Sequence, residues 1–353
     1  MKFYIFIGLL VALAGGAWTA AGESTNAVPL IAAGGYKGLL TGTSNAGLIS
    51  GVLTMNLGSG GLFTAAMNLE GEHYHITGKL PASGLYTRTL HNSKGTDVMI
   101  TLAYNGTPSV TGTITGGSEP VTYTGLRVED SSGAGGEYEF IIGPGTLVES
   151  GSAPEGTGYG RMYVHARGDV SLTGKLPDGT RFATSSSIVS GSSIPVYVHM
   201  GALPNTGVAG TLVLQDVPNQ SDCHGTLYWA VAPRTPSHYP AGFELATQFE
   251  AAARNRSIGG FAGDTVTFTA TGADLQAPVT ASIKLAETGD LEHGNANSVF
   301  LDIDRTRNTL GGNFVNPVTH ERRSFRGVLL AKSRAGAGLF FGGGLSGTVE
   351  ISY

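Results

Sequence analysis

The sequence predicts an all-β, antiparallel protein in which Gly-rich, duplicated short-strand units form one or two barrel-like or sandwich domains. Three observations predict it. Apolar and polar residues alternate over short runs, turn dipeptides separate those runs, and a five-residue pattern centred on Gly returns along the chain.

The alternation is plain in Val52 to Leu57, where Leu53, Met55 and Leu57 share one face, and it recurs in Asp97 to Tyr104 and Pro195 to Met200. Side chains of a strand point to opposite faces in turn, so such runs mark strands with one buried face. Between them stand Gly60-Gly61, Asn105-Gly106, Asp178-Gly179 and Asn205-Thr206-Gly207. Asn-Gly and Asp-Gly tolerate φ > 0 at both central positions and favour type I′ hairpins. At this spacing the chain forms antiparallel hairpins rather than βαβ units, with roughly sixteen or more strands. One run, Phe243 to Arg256, has helical spacing and is expected as a short helix.

The pattern apolar–x–Gly–x–apolar occurs at Ile49–Leu53, Ile76–Leu80, Val110–Ile114, Leu172–Leu176, Val208–Leu212, Phe325–Leu329 and Leu345–Val349. Its first, third and fifth residues share a strand face, which puts the Gly on the core side between two apolar residues. An inward Gly weakens a strand unless the space is used. The two uses expected are a sharp bend of a curved sheet and room for an aromatic ring of a neighbouring strand. Longer repeats admit two registers. Thr77–Pro81 matches Thr173–Pro177, each followed at the same gap by an aromatic, Tyr86 or Phe182. Alternatively, Tyr36–Leu40 matches Tyr138–Ile142. Either register implies duplication. The expected organisation is a first β unit over 34–150, a linker in the Gly- and Ser-rich stretch Glu149–Gly158, and a second unit over 156–353. A diverged third set of strands starts at about Gly259.

Composition narrows the function. The chain has 353 residues and 55 Gly against 15 Pro, with no G-X-Y period, which excludes collagen. Net charge is −5 with only 21 Lys and Arg and no basic run, so nucleic acid and anionic lipid are not expected partners. The lone cysteine, Cys223, precludes a disulfide within the chain and reads as a small core residue. Lys2, the apolar run Ile5–Ala14 and the small residues Thr19 to Gly22 have the form of a secretory signal peptide over 1–21, cleaved near Ala21. The expected location is therefore extracellular or the cell envelope.

Several segments carry a resemblance. They are Gly158-Tyr159-Gly160, Leu172–Thr180, Gly225–Trp229, Tyr239–Phe243, Phe325–Leu330, Gly338–Gly342 and Ser346–Val349. Together they resemble the β-rich C-terminal repeat regions of large secreted or surface proteins of the Verrucomicrobia and Planctomycetes group. The long N-terminal repeats of that group are missing from this sequence. The resemblance implies a surface location and a β architecture; its shared residues are structural glycines and aromatics, and it implies no activity.

Motifs of catalysis are sparse. The sequence contains no CxxC, HExxH, GxSxG or GxxxxGK[ST]. His73 and His75 flank Tyr74 at a spacing that can chelate Zn²⁺, but if Tyr74 and Ile76 take the core, both imidazoles are left in solvent. Glu70 with Glu72, and Asp302 with Asp304, form carboxylate pairs of the kind a glycosidase needs, yet pairs this close on one strand suit a solvated face. Arg167-Gly168-Asp169 falls at an expected hairpin tip, a tripeptide that can engage adhesion receptors and that a Gly-rich chain also yields by composition. Trp229, with Tyr228 and Tyr239, offers a sugar-stacking platform, although Tyr228 and Trp229 must point to opposite faces. The C-terminal alternation of Leu345, Val349, Ile351 and Tyr353 resembles the last strand of an outer-membrane barrel.

The reading that follows is a secreted or cell-surface structural or binding module, not an enzyme, with no cofactor, no metal and no catalytic residue. Its contact residues would be Tyr228, Trp229 and Tyr239, and its partner a glycan or another surface component. The alternatives are an outer-membrane β-barrel and a carbohydrate-active enzyme.

Overall fold

The computed structural model describes residues 32–352, apart from 44–48, 82, 93–94, 96, 105–107, 131–132, 148–151, 202, 204–205, 236, 255–264 and 286–297. The expected signal peptide, Asn105-Gly106, Asn205 and Tyr353 lie outside the described residues. The described chain is all-β, without an α-helix, and its strands are antiparallel throughout.

The first sheet contains β1 (Gly34–Gly42), β2 (Ile49–Leu57), β3 (Leu62–Leu69), β4 (Glu72–Lys79), β5 (Leu85–His91), β6 (Asp97–Tyr104), β7 (Ser109–Thr115) and β8 (Val121–Arg127). Their order is β4-β3-β2-β1-β8-β7-β6-β5, a nearly closed barrel. The barrel is shut between β1 and β8, where Tyr36 faces Arg127 and Leu40 faces Tyr123. Its seam lies between β4 and β5. There Tyr86 Oη and Arg88 Nη1, both on β5, donate to the carbonyl of Thr77 on β4 at 3.5 and 3.1 Å.

The second sheet contains β9 (Gly136–Ile142), β10 (Thr146–Leu147), β11 (Gly158–Val164), β12 (Asp169–Lys175), β13 (Arg181–Ser187), β14 (Ser193–His199), β15 (Gly207–Val217), β16 (Ser221–Val231) and β17 (Phe243–Ala253). Its order, β13-β12-β11-β9-β17-β16-β15-β14 with β10 beside β17, repeats the first strand for strand. The seam again falls between the fourth and fifth strands. Thr184 Oγ1 and Ser186 Oγ of β13 donate to the carbonyls of Tyr197 and Pro195 of β14. The topology chooses the register of the duplication. β1 corresponds to β9, so Tyr36 corresponds to Tyr138, and each phenol donates at 2.6 Å to the carbonyl four residues before it. The Thr77–Pro81 and Thr173–Pro177 match instead pairs the end of the fourth strand with the end of the third, and these run in opposite directions.

The third sheet contains β18 (Thr265–Gly272), β19 (Val279–Lys284), β20 (Phe300–Asp304), β21 (Thr309–Val315), β22 (Arg322–Leu330), β23 (Ala335–Gly342) and β24 (Leu345–Ser352), in the order β19-β18-β24-β23-β22-β21-β20. It is a half-barrel whose first strand again lies beside its last.

Three expectations are corrected. The second sheet starts at Gly136, because β9 pairs with β11 and β17, and β10 pairs with β17; residues 152–157, the described part of the stretch ahead of β11, lead from one strand of that sheet to another and are not a boundary between units. Phe243 to Ala253 is strand, not helix: Phe243, Leu245, Thr247, Phe249 and Ala251 are buried at every second position. Asp178-Gly179 does not make a type I′ turn, since only Gly179 has φ > 0. Pro177 occupies the second position of a turn closed by Gly179 N to Leu176 O, and Gly179 follows in the left-handed region, the three-residue hairpin loop that Pro favours. Adjacent residues both have φ > 0 at Glu70-Gly71, Gly191-Ser192, Gly272-Ala273 and Gly343-Gly344.

The recurrent Gly face inward, as expected, and both expected uses of the space occur. At Gly78, Gly174 and Gly347 a Cβ would lie 2.6, 2.8 and 2.4 Å from the rings of Tyr86, Phe140 and Phe340. At Gly51, Gly112, Gly210 and Gly327 it would strike a carbonyl oxygen of the neighbouring strand at 2.0 to 2.3 Å, the close approach of a tightly coiled sheet. Each sheet encloses its own apolar core, centred on residues such as Tyr36 and Tyr123, Phe140 and Phe249, and Phe314 and Phe340. Leu345 departs from the pattern and is exposed.

The sheets dock on one another through polar contacts. Between the first and second, Lys37 Nζ donates to Ser185 O at 3.3 Å and Tyr197 Oη to Ser50 O at 3.4 Å. Burial there brings the Lys37 ammonium down to about 8. Between the second and third, Thr157 and Thr348 hydroxyls meet at 3.0 Å, and Lys332 joins Asp216 and Asp222. The outer face of β9 contributes Glu139, almost fully buried, with Arg161 Nε 3.4 Å and Arg254 Nε 4.0 Å from its Oε1.

Candidate functional site

A cleft of about 610 Å³ opens at the mouth of the second barrel. Its position follows from the barrel's construction. The inward residues of β13 and β14 at this end are Phe182, Val198 and the following Met200, and without a backbone ladder across the seam the two strands leave the mouth open. Trp229 and Val231 on β16 and Phe243 at the start of β17 form the floor. The 232–242 connection bends over it through Gly242, which has φ +71° and donates its N–H to Tyr239 O at 3.0 Å. That bend brings Tyr239 over the opening. From the third sheet, Phe341, Gly344 and Ser346 close one side. The Gly343-Gly344 turn approaches so closely that a Cβ on Gly344 would lie 2.5 Å from His238 Cε1.

Two of the three expected contact residues meet here. Trp229 packs edge-on against Phe243, with centroids 4.7 Å apart, and Tyr239 packs edge-on against the same ring at 5.3 Å. Edge-to-face geometry sets the positive rim of one ring on the negative face of another and fixes all three. Tyr228 is not part of the site. It lies on the outer face of β16, opposite Ala209 and Ala246, and is 38% exposed. Trp229 is only 1% exposed, so it backs the cleft from behind and offers no stacking face. Its indole N–H is fully buried and has no acceptor among the described residues. An unmatched buried donor costs about 1–3 kcal/mol, which makes its place on a cleft wall informative.

The rim is polar. Arg181 begins β13 and Arg234 lies in the 232–242 connection; both are exposed, and neither guanidinium has an acidic partner among the described residues. Asp178 is the one carboxylate of the lining, and it is engaged by Thr180 N and Thr180 Oγ1, each at 2.7 Å. Ser237 accepts from Tyr239 N at 3.0 Å, and Thr206 accepts from Ala232 N at 3.1 Å. His199 and His238 complete the rim. Burial raises the Tyr239 phenol above its ordinary value, which leaves it a neutral hydrogen-bonding group at physiological pH.

The other candidate residues lie apart from this cleft. His73 and His75 are exposed on the outer face of β4 while Tyr74 and Ile76 enter the core. Glu70 sits in the type I′ turn before β4 and accepts from Ser118 Oγ; Glu72 opens the strand. Asp304 caps the turn after β20 by accepting from Thr306 N and Arg307 N, which hold it below the usual carboxylate range, and Asp302 is exposed. Cys223 lies in the second core, where burial pushes its thiol up to about 12. Arg167 and Asp169 are exposed at the β11–β12 turn, while Gly168 is buried against the Glu129 carbonyl.

Arg181, Phe182, Arg234 and Phe341 were not foreseen as site residues. Phe182 did stand out as the aromatic trailing a repeated motif; the arginines and Phe341 carry no local signal, because the fold alone brings 181, 234 and 341 together. No family model matches the chain, and no curated protein matches it significantly in sequence.

Proposed function

We propose that the protein is an exported, non-catalytic binding module of the cell surface or its surroundings, and that the mouth of the second barrel is its ligand site. The observation that carries this reading is the aromatic cleft itself, with a polar rim and a buried donor awaiting an acceptor. Its volume falls within the range of roughly 300–1,000 Å³ typical of small-molecule sites. The buried acid whose proton is held most strongly, Glu139, lies at the contact between the second barrel and the third sheet, which supports a structural and not a catalytic use of that carboxyl.

A surface module is favoured over an outer-membrane barrel by the direction of the apolar faces. Large apolar residues point into the sheets, whereas Thr64, Thr122, Thr124, Thr173, Thr265 and Thr267 face out. Met99, an exposed apolar residue, stands between Asp97 and exposed-face Thr101 on its strand. A membrane barrel needs the opposite polarity, an apolar band around the outside. Fractionation of the producing cell tests the reading. Release into the medium or by a carbonate wash is expected; protein that resists the wash and shifts on gels when boiled would refute it.

A further inference from the structure

The chemistry of the cleft also limits what can occupy it. We infer that the mouth of the second barrel takes an acidic sugar, a pyranose ring bearing a carboxylate, with the carboxylate at Arg181 and Arg234 and the ring over Phe182 and Tyr239. The inference rests on the cleft being the ligand site, as proposed above.

Three features lead to it. The first is charge. Two guanidiniums without acidic partners line one opening, and the single carboxylate of the lining, Asp178, is already occupied by Thr180. Arginine presents a planar fork of donors that fits a carboxylate in bidentate fashion, and the two imidazoles of His199 and His238 add no negative charge. A neutral ligand would leave that positive rim unused.

The second is the buried indole N–H. Trp229 lines the cleft, its Nε1 is excluded from solvent by the surrounding protein, and no described residue accepts its hydrogen. In the free protein that hydrogen is closed off from the cleft, so an acceptor reaches it only if the rings of Tyr239 and Phe243 part on binding; a ring oxygen or hydroxyl of a sugar then supplies it, and a plain aromatic acid has none on its ring. A site built to hydrogen-bond an oxygen discriminates strongly against a ligand that lacks it, because the donor is then left unpaired.

The third is shape. Phe182 and Tyr239 are half-buried, so each keeps an accessible portion, while Phe243 behind them is fixed by two edge-on contacts. A pyranose has one face of C–H groups that packs on such rings, and its polar edge reaches the rim.

The test is a titration of the intact protein with galacturonate, galactose and benzoate, read by calorimetry and by tryptophan fluorescence. Galacturonate is expected to bind and to change the Trp229 emission, with galactose and benzoate each at least tenfold weaker. Galacturonate binding is expected to weaken as salt is raised. Arg181→Gln and Arg234→Gln are exposed changes that leave the barrel intact, and each is expected to weaken galacturonate at least tenfold while leaving galactose unchanged. Trp229→Phe, checked for folding by circular dichroism, is expected to weaken galacturonate at least tenfold by calorimetry, because the ring keeps its bulk and loses only the N–H. If galactose or benzoate binds as tightly as galacturonate, or if both arginine variants bind galacturonate like the parent, the acidic-sugar inference is wrong and the cleft remains a ligand site. If none of the three compounds binds, the inference and the assignment of this cleft both fall.

Discussion

Replacing Glu139 by Gln should stabilise the protein at neutral and alkaline pH, although Glu139 stands beside two arginines. The carboxyl is 1% exposed, and neither of its oxygens makes a hydrogen bond among the described residues. Burial outweighs the attraction of Arg161 and Arg254 and raises its pKa from 4.5 to about 7. In the unfolded chain the group loses its proton near 4.5, whereas in the folded chain it holds the proton up to about 7. Between those values the unfolded state binds fewer protons, so stability falls as pH rises through the window and is level beyond it. At about 1.4 kcal/mol for each pH unit, the loss is about 3 kcal/mol. Gln carries no charge at any pH. Of the arginines left behind, Arg254 keeps Glu137 and Arg161 reaches solvent, so the cost of their lost partner is small. Urea unfolding followed by Trp229 emission at pH 4.5, 6 and 8 measures the effect. Glu139→Gln should match the parent at pH 4.5 and exceed it by up to about 3 kcal/mol at pH 8. A variant weaker than the parent at pH 8, or a difference that does not change with pH, would refute the reasoning and show that the ion pairs dominate.

Other substitutions test the packing. Gly327→Ala places a Cβ 2.1 Å from Ala337 O and 2.7 Å from Gly338 Cα, backbone that cannot step aside, and should cost about 1–3 kcal/mol in a thermal melt. Gly60→Ala meets nothing within 4 Å and serves as the neutral control; equal losses at the two sites would contradict the steric account. Ser186→Ala removes the buried hydroxyl that reaches the Pro195 carbonyl across the seam and should cost about 1–3 kcal/mol, while the same change at exposed Ser185 should cost little. The Cys223 thiol, raised to about 12, should resist a thiol reagent at pH 8 in the native protein and react in urea; rapid labelling without denaturant would mean that the second core opens readily.

The strands and the inward Gly were legible because both depend on period two, a local property. Phe243–Ala253 misled because apolar residues at 243, 245, 249 and 251 to 253 fit a helical stripe nearly as well as a strand face, and only pairing with β16 and β9 decides between them. The boundary between the first two sheets, which falls after Arg127 and before Gly136, was hidden for a similar reason. Gly and Ser at 149–158 mark a loop, but a loop inside a sheet and a loop between sheets have the same composition. In the cleft, Trp229 and Tyr239 were legible as rare aromatics. Tyr228 was offered with them and fell away once strand geometry placed it outside. The arginines were silent, since what matters is that nothing acidic lies beside them in space.

Each sheet begins and ends at one place: Tyr36 lies beside Arg127, Tyr138 beside Ala253, and Thr267 beside Ser352. In the first two sheets the seam, which carries no ladder, lies on the far side. The natural ends of such a barrel can therefore be tied by a short peptide and new ends cut at the β4–β5 connection without breaking any strand pair. A circular permutant of the first barrel, starting at β5 and finishing at β4, should keep every rung of its ladder, with β1 and β8 moved from the margins of the chain to its centre.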